Sequence, residues 1–402
     1  MHPTRDDIDL LDGGFYVDAR EQYRWMRENA PVYFDENSGL WGIASYSALL
    51  AMEKDAATFS NAGGSRPAGN PVPMMIDMDD PEHWKRRKLV NKGFTPRRVR
   101  DTEQQIRDVC DAIIDQVCER GECDFVHDIA APLPMILIGD MLGVAPEDRG
   151  DLLRWSDDMV GSLSGDASEE AVLRSMQAMM GYTEFCTHAI EQRRTKPTDD
   201  LMSVLVHAEV DGDRLSSDDV LYESLLILIG GDETTRHVIS GGIEQLLLHP
   251  DQRRLLIDDP SKITVAVEEM LRWVSPIKNM CRTVAHDTEF MGQEMTAGQQ
   301  CVLLFESANF DETRFEDPFR FDVERHPNEH LAFGFGTHYC LGQALARLEL
   351  KIMFEQLLER LPDLELAADP ASLPRRRANF ITGLEAMPVR FSPSTPLLRS
   401  SV

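Results

Sequence analysis

Phe333-Gly-Phe-Gly-Thr-His-Tyr-Cys-Leu-Gly342 is the stretch that decides how this chain folds. One cysteine, Cys340, stands between glycines at fixed offsets, directly before an Ala- and Leu-rich run from Gln343 to Leu358 with Arg and Glu interspersed. That pattern predicts an amphipathic helix over 343–358. Cys340 then lies at a helix N-terminus, where the dipole and free N–H groups stabilise a thiolate. Gly336 and Gly342 remove side chains on either side of the sulfur, so a flat, bulky group can approach the backbone closely.

A single cysteine at a helix start is ordinarily a packed thiol. The whole spacing, Phe333-x-x-Gly336-x-His338-x-Cys340-x-Gly342, says more. A thiolate presented to a flat group is what haem iron needs from an axial ligand that pushes electron density towards O–O cleavage. The Gly334-x-Gly336 pair does not open a dinucleotide fingerprint: Tyr339 stands where the third glycine belongs, and no Val/Ile-rich strand leads in. The ten residues resemble the haem-ligand loop of the cytochrome P-450 monooxygenases at every position of that signature. The resemblance implies a mainly α fold with small β-sheets, in which a long central helix lies over haem b (iron protoporphyrin IX) and the cysteine loop lies beneath. Cys340 becomes the iron ligand, with Phe333 and Gly342 beside it.

The bulk properties agree. The 402 residues allow two domains on length, but the matched features run from His83 to Cys340, so 1–402 reads as a single haem-thiolate domain. A formal charge of −28 argues against nucleic acid and against an anionic membrane surface. The longest apolar run, Leu225 to Ile229, is far too short to span a membrane, and Met1 to Leu10 carries acids and no signal-like core, so no membrane anchor is expected. Seven scattered cysteines suit a reducing cytoplasm, and Cys118 and Cys123 lack partners for zinc.

Along the chain, Tyr23 to Asn29 reads as a short helix stopped by Pro31, and Val32–Tyr33 with Leu40–Ala44 as a hairpin about Asn37-Ser-Gly39. Ser60 to Pro73 is a flexible loop. Pro81 to Cys301 is mostly helical, with a break over Gly161–Ala167, and Cys281 to Phe305 reads as short strands. Ser217 to His249 is one long helix, capped by Ser217, ended by Pro250 and about 50 Å long.

That long helix contains Gly230-Gly-Asp-Glu-Thr-Thr235, poor choices for a helix interior. Glycines leave space for a small ligand, and a Thr hydroxyl can bond back to a preceding carbonyl. A crossing of two helices through small residues explains the same segment. By resemblance it is the family's oxygen-binding motif, with Thr234 the hydroxyl that steadies the oxygen ligand and Glu233 the acid of a proton relay. Glu269-x-x-Arg272 is by itself a surface bridge; in the family this pair is buried and completed by an arginine before the cysteine, here Arg325. His83 and Arg87, four apart on one helix face, match the family's propionate clamp, and Arg282 and His338 its other two contacts.

Lys85, Arg86, Lys88, Arg97, Arg98 and Arg100, with Arg347 and Lys351, are basic residues in an acidic chain. They read as a solvated face or as a docking patch for an acidic ferredoxin, which a ferredoxin reductase would supply with electrons. Pocket candidates are Met74, Ile76, Ile229, Gly230, Ile277, Met280, Phe380 and Ile381, none of them charged, which fits a hydrophobic substrate. Pro73–Asp80, Leu225–His237 and Leu303–Phe310 resemble the actinobacterial sterol side-chain hydroxylases, which implies a cholesterol-like substrate oxidised at its terminal methyl. Two rivals stay open: a haem-binding sensor or electron carrier without oxygenase activity, and a peroxide-driven peroxygenase on the same fold. The Glu233–Thr234 pair favours the route through oxygen and electrons.

Overall fold

The computed structural model describes residues 3–162 and 168–397; most of the expected 161–167 break lies outside them. The principal helices are α1 (Arg20–Asn29), α2 (Tyr46–Lys54), α3 (Glu82–Val90), α4 (Glu103–Asp115), α5 (Pro132–Leu142), α6 (Arg149–Gly161), α7 (Glu169–Thr195), α8 (Ser217–Leu248), α9 (Ile263–Val274) and α10 (Gln343–Arg360). The main sheet contains β1 (Val32–Asp35), β2 (Leu40–Ile43), β3 (Phe59–Ser60), β4 (Asn279–Val284) and β5 (Gln300–Leu304), in the spatial order β1-β2-β5-β4-β3. The helical reading therefore stops at Val274 rather than Cys301, and the strands begin at Asn279.

The 32 residues of α8 span about 48 Å. Its cap is Ser216, one residue before the expected Ser217: Ser216 Oγ accepts from the Asp219 amide at 3.1 Å while the Asp219 carboxylate accepts from the Ser216 amide at 2.9 Å. This reciprocal pair satisfies two orphan donors. The helix runs through the interior, packed on α5, α9 and α10. Glycines allow close approach: a Cβ on Gly231 would stand 2.6 Å from Ile138 of α5, and one on Gly242 2.8 Å from Phe354 and 3.1 Å from Met270.

The expected amphipathic pattern of α10 is not what forms. Leu345, Leu350, Met353, Phe354, Leu357 and Leu358 are buried around most of its circumference, and Glu349 and Gln356 are buried with them. Each such large apolar side chain contributes about 1.5–3 kcal/mol, so the helix that follows Cys340 is held by the core on several sides.

The β1–β2 hairpin forms about Gly39, and β5 joins β2 in parallel and β4 antiparallel, pairing Val302 with Cys281. Strand side chains alternate between faces. Met280 and Arg282 therefore share one face of β4, toward the cavity described below, and Cys281 packs into the core on the other. Among the described residues no helix is long and apolar enough to cross a membrane.

Candidate active site

A cavity lies between α8 and the Cys340 loop. Gly230, Gly231, Thr234 and Val238 of α8 face it from one side, and Phe333, Cys340, Gly342 and Leu345 from the other. The loop is pinned by its backbone: the Cys340 amide donates to Phe333 O at 2.9 Å. Gly336 sits at φ +72°, with its Cβ position 2.9 Å from Glu53 O, so another residue meets both strain and a backbone atom there. The amides of Gly342 and Gln343 face the sulfur.

Burial pushes the Cys340 thiol up, and those amides with Arg87 and Arg347 oppose the rise without cancelling it. The helix end alone therefore does not make a thiolate. A metal cation bonded to the sulfur would, because coordination deprotonates a thiol outright.

One corner of the cavity is polar. His83 and His338 stack with ring centroids 4.0 Å apart. Arg87 donates to Tyr339 O, and Arg282 Nη2 reaches Glu53 Oε1 at 3.3 Å. Burial followed by the charges of His83, Arg282 and Arg87 lowers His338 to about 3, and burial raises Glu53 to about 7 against the pull of Arg282. Among the described residues, His83 Nε2 and Glu53 Oε2 are buried without a hydrogen-bond partner. A Cβ built on Gly230 or on Gly342 meets nothing within 4 Å. A slot with bare backbone on both faces, a sulfur at its floor and unsatisfied polar atoms in one corner fits a flat porphyrin with two acidic arms.

The chain is 60% identical over 393 residues to a steroid C26-monooxygenase of Mycobacterium tuberculosis, covering 97% of this chain and 98% of that one. It belongs to the cytochrome P450 family. A family model for cytochrome P450 matches residues 263–372. A steroid C26-monooxygenase of Mycolicibacterium smegmatis is 58% identical, with 98% of each chain covered. Among solved structures, the cytochrome P450 PksS of Bacillus subtilis superposes with a TM-score of 0.89 at 33% identity, covering 96% of this chain and all of that one. This P450 is a monooxygenase with haem b as its cofactor.

The relay residues part company in the structure. Thr234 lines the cavity, and its Oγ1 donates to Gly230 O at 2.7 Å, leaving its lone pairs free to accept. Glu233 is fully buried off the cavity wall. It pairs with Arg236, receives Arg376 Nη1 at 2.8 Å and has His237 Nε2 3.5 Å away. Burial would raise its carboxyl, but His237, Arg236 and Arg376 hold it well below the usual range. Its neighbour Asp232, assigned no role in the sequence, is buried near Ser156, and burial pushes it to about 8.

Of the pocket candidates, Ile76, Gly230, Ile277 and Met280 line the cavity. Met74 does not; its neighbour Met75 takes that place. Ile229, Phe380 and Ile381 are also off the wall. Phe380 and Ile381 form a small core with Val160, against which Ile229, Ile277 and Met280 pack. The reason is helical phase: one residue turns the side chain by about 100°, so Gly230 faces the cavity and Ile229 does not.

The scaffold pair is buried: Arg272 donates to Glu269 at 2.7 and 2.8 Å, and Arg325 Nε adds a third contact at 3.1 Å. The basic residues are mostly engaged. Arg86 meets Glu223 and Asp219, Lys88 meets Asp211, Arg98 meets Asp199, Arg347 meets Glu268 and Lys351 meets Glu355.

Proposed function

We propose that this P450 hydroxylates the terminal methyl of a sterol side chain, as in cholesterol or cholest-4-en-3-one, with electrons from a ferredoxin and its reductase in the cytoplasm. The observation that carries the reading is the near-complete coverage of two mycobacterial steroid C26-monooxygenases at 58–60% identity. The cavity supports it. Met75, Ile76, Ile277 and Met280 give apolar walls, and apart from Glu349 of α10 the ionisable groups on the wall are His83, Arg87, Arg282, His338, Glu53 and Cys340. An apolar chain gains about 25 cal/mol per Å² buried against such walls.

Haem b supplies the activation of dioxygen. The protein's own residues do the rest. Cys340 Sγ is the ligand to the metal, and the Gly342 and Gln343 amides temper its negative charge. His83, Arg87, Arg282 and His338 meet the acidic arms. Gly230 and Gly231 leave room above the slot for a small ligand. Thr234 Oγ1 accepts a hydrogen bond from a group in that room while donating its own proton to Gly230 O, and rotation about its side chain turns that O–H into the cavity. Glu233 joins this relay only by exchanging partners with Arg236 and Arg376. The apolar walls exclude water from the reacting carbon.

The test is a reconstituted turnover of the holoenzyme with ferredoxin, reductase and a panel of sterols and fatty acids, with products identified by mass. Terminal alcohol or acid from cholest-4-en-3-one supports the reading. Oxidation of the fatty acids alone, with no sterol product and no spin-state change of the Soret band on adding sterol, overturns it.

A further inference from the structure

Glu223 lies two turns into α8, fully buried, and no role in the chemistry above uses it. Its Oε1 accepts from the Met75 amide at 2.8 Å and from Arg86 Nη1 at 3.1 Å, and its Oε2 has no partner among the described residues. Arg86 also reaches Asp219, one turn earlier on α8, at 2.7 Å. One carboxylate thus joins α8, which carries Thr234, to α3, which carries His83 and Arg87, and to the turn Met75–Asp77.

That turn belongs to a segment, 61–79, whose two ends form cavity wall: Asn61 and Ser65 at one end, Met75 and Ile76 at the other. Its tip, 68–73, is exposed. The segment is knitted to itself. Asn61 Nδ2 donates to Ile76 O at 3.0 Å, and the amides of Ser65 and Val72 donate to the Asp77 carboxylate at 2.8 and 2.9 Å. On the sheet side it is tied by backbone and arginine bonds: the Cys281 amide to Ser65 O at 2.8 Å and Arg66 to Asn279 O at 2.9 Å. Toward α8 the polar tie is the Met75–Glu223 bond, beside the packing of Met74 and Met75 in the core shared with Leu225 and Leu228. A segment hinged at one edge by several hydrogen bonds, and held at the other by the packing of Met74 and Met75 and by one buried carboxylate, changes its hold most readily where that single ionisable group supplies it.

We propose that Glu223 is a positioning residue for substrate admission: its carboxylate latches segment 61–79 onto α8, and the strength of that latch sets how fast bulky apolar ligands reach the cavity. The proposal deepens the proposed sterol reading but needs from it only a large apolar ligand. Burial supports it by pushing Glu223 up to about 7, against the pull of Arg86 and the Met75 amide. The groups facing it are Arg86 from α3, the uncharged Met75 N–H from the segment and Asp219 from its own helix. As pH falls through about 7 the carboxylate gains a proton, loses its attraction for Arg86 and becomes a weaker acceptor. The latch loosens on the acid side.

The test uses the ferric holoenzyme and two triazoles that stay neutral over the range: 1,2,4-triazole itself and a bulky triaryl derivative. Association is followed by the Soret shift in a stopped-flow instrument. In the wild type, the bulky ligand should associate on the order of fivefold faster at pH 6 than at pH 8, with the small one unchanged. Glu223→Gln should hold the fast rate at both pH values. Met75→Pro removes the donor N–H at a position where the extended Met74 before it tolerates proline; it should be fast at pH 8, whereas Met75→Ala, which keeps the N–H, should not match it. Bulky-ligand rates in the wild type that ignore pH, equal rates for Met75→Pro and Met75→Ala, or an equal change for the small triazole would each overturn the latch. Should Glu223→Gln not fold, the wild-type profile and the Met75 pair decide alone. Absence of sterol turnover would sink the proposed substrate while leaving these rates unaffected.

Discussion

Arg347 grips Glu268 with two parallel hydrogen bonds, Nε to Oε1 at 2.7 Å and Nη2 to Oε2 at 2.9 Å. The pair joins α10, which begins three residues after Cys340, to α9. His330 Nε2 stands 3.0 Å from the same carboxylate, and Arg347 also lies over the Phe333 ring at 4.5 Å. The adjacent Glu269 holds Arg272 and Arg325. Two neighbouring carboxylates on α9 therefore fix both the approach to the cysteine loop and the helix that leaves it.

Burial would raise Glu268, yet His330 and Arg347 lower it to about 2. A depressed acid adds stability that is present above the unfolded value near 4.3 and is lost as pH falls through the folded value. Glu268→Gln should therefore destabilise the holoenzyme by about 2–3 kcal/mol at pH 7. The deficit should narrow between about pH 4 and 2. Urea unfolding at several pH values reads this directly; a deficit that stays constant down to pH 3 contradicts the pairing.

Breaking the Arg282–Glu53 pair tests the polar corner. Both side chains are buried, with Nη2 and Oε1 3.3 Å apart. Arg282→Leu alone leaves Glu53 buried beside nothing positive, at a loss of about 3–5 kcal/mol for a removed partner. Arg282→Leu with Glu53→Leu should recover most of the stability, but not the affinity for haem if Arg282 meets a propionate. Thermal unfolding and haem transfer to apomyoglobin separate the two effects. Recovery of both in the double variant would assign Arg282 to scaffold alone.

Thr234→Ala removes the hydroxyl but keeps the helix, since Ala is the better helix former. Reduction should continue while product per electron falls severalfold and hydrogen peroxide rises. Full coupling in Thr234→Ala would contradict the assignment of its hydroxyl to proton movement. Its bond to Gly230 O predicts that Thr234→Ser, which can make the same bond, stays closer to the wild type.

How much of this was legible beforehand follows physical lines. The Cys340 loop was readable because glycines and a cysteine at fixed offsets encode backbone geometry locally. The hairpin about Gly39 was readable for the same reason. Helix α8 was readable in extent, though its cap fell on Ser216 because a neighbouring serine looks identical to Ser217 until Asp219 shows which one it answers. The amphipathic reading of α10 failed because its surroundings, not its own sequence, bury most of its surface. Arg376, 143 residues after Glu233, carried no signal at all: an ion pair across that separation exists only once the fold brings the chain back. Ile229, Phe380 and Ile381 are apolar and near the cavity, and composition cannot distinguish the wall from the layer behind it.

The basic surface is the last case, and the structure narrows it. Arg86 is 16% exposed and bound to Glu223 and Asp219, so reversing it would disturb the cavity wall rather than a docking face. Arg97 is different: its side chain is 86% exposed, with Asp101 loosely placed at 3.6 Å. A charge held in this way contributes almost nothing to stability, yet it is well placed to steer an acidic partner. Arg97→Glu should leave the unfolding midpoint unchanged and slow reduction by a ferredoxin at low salt, with the difference fading as ionic strength shortens the Debye length to about 8 Å. Stopped-flow reduction under carbon monoxide at two salt concentrations measures this. Equal rates for the wild type and Arg97→Glu at both concentrations would remove Arg97 from the docking face.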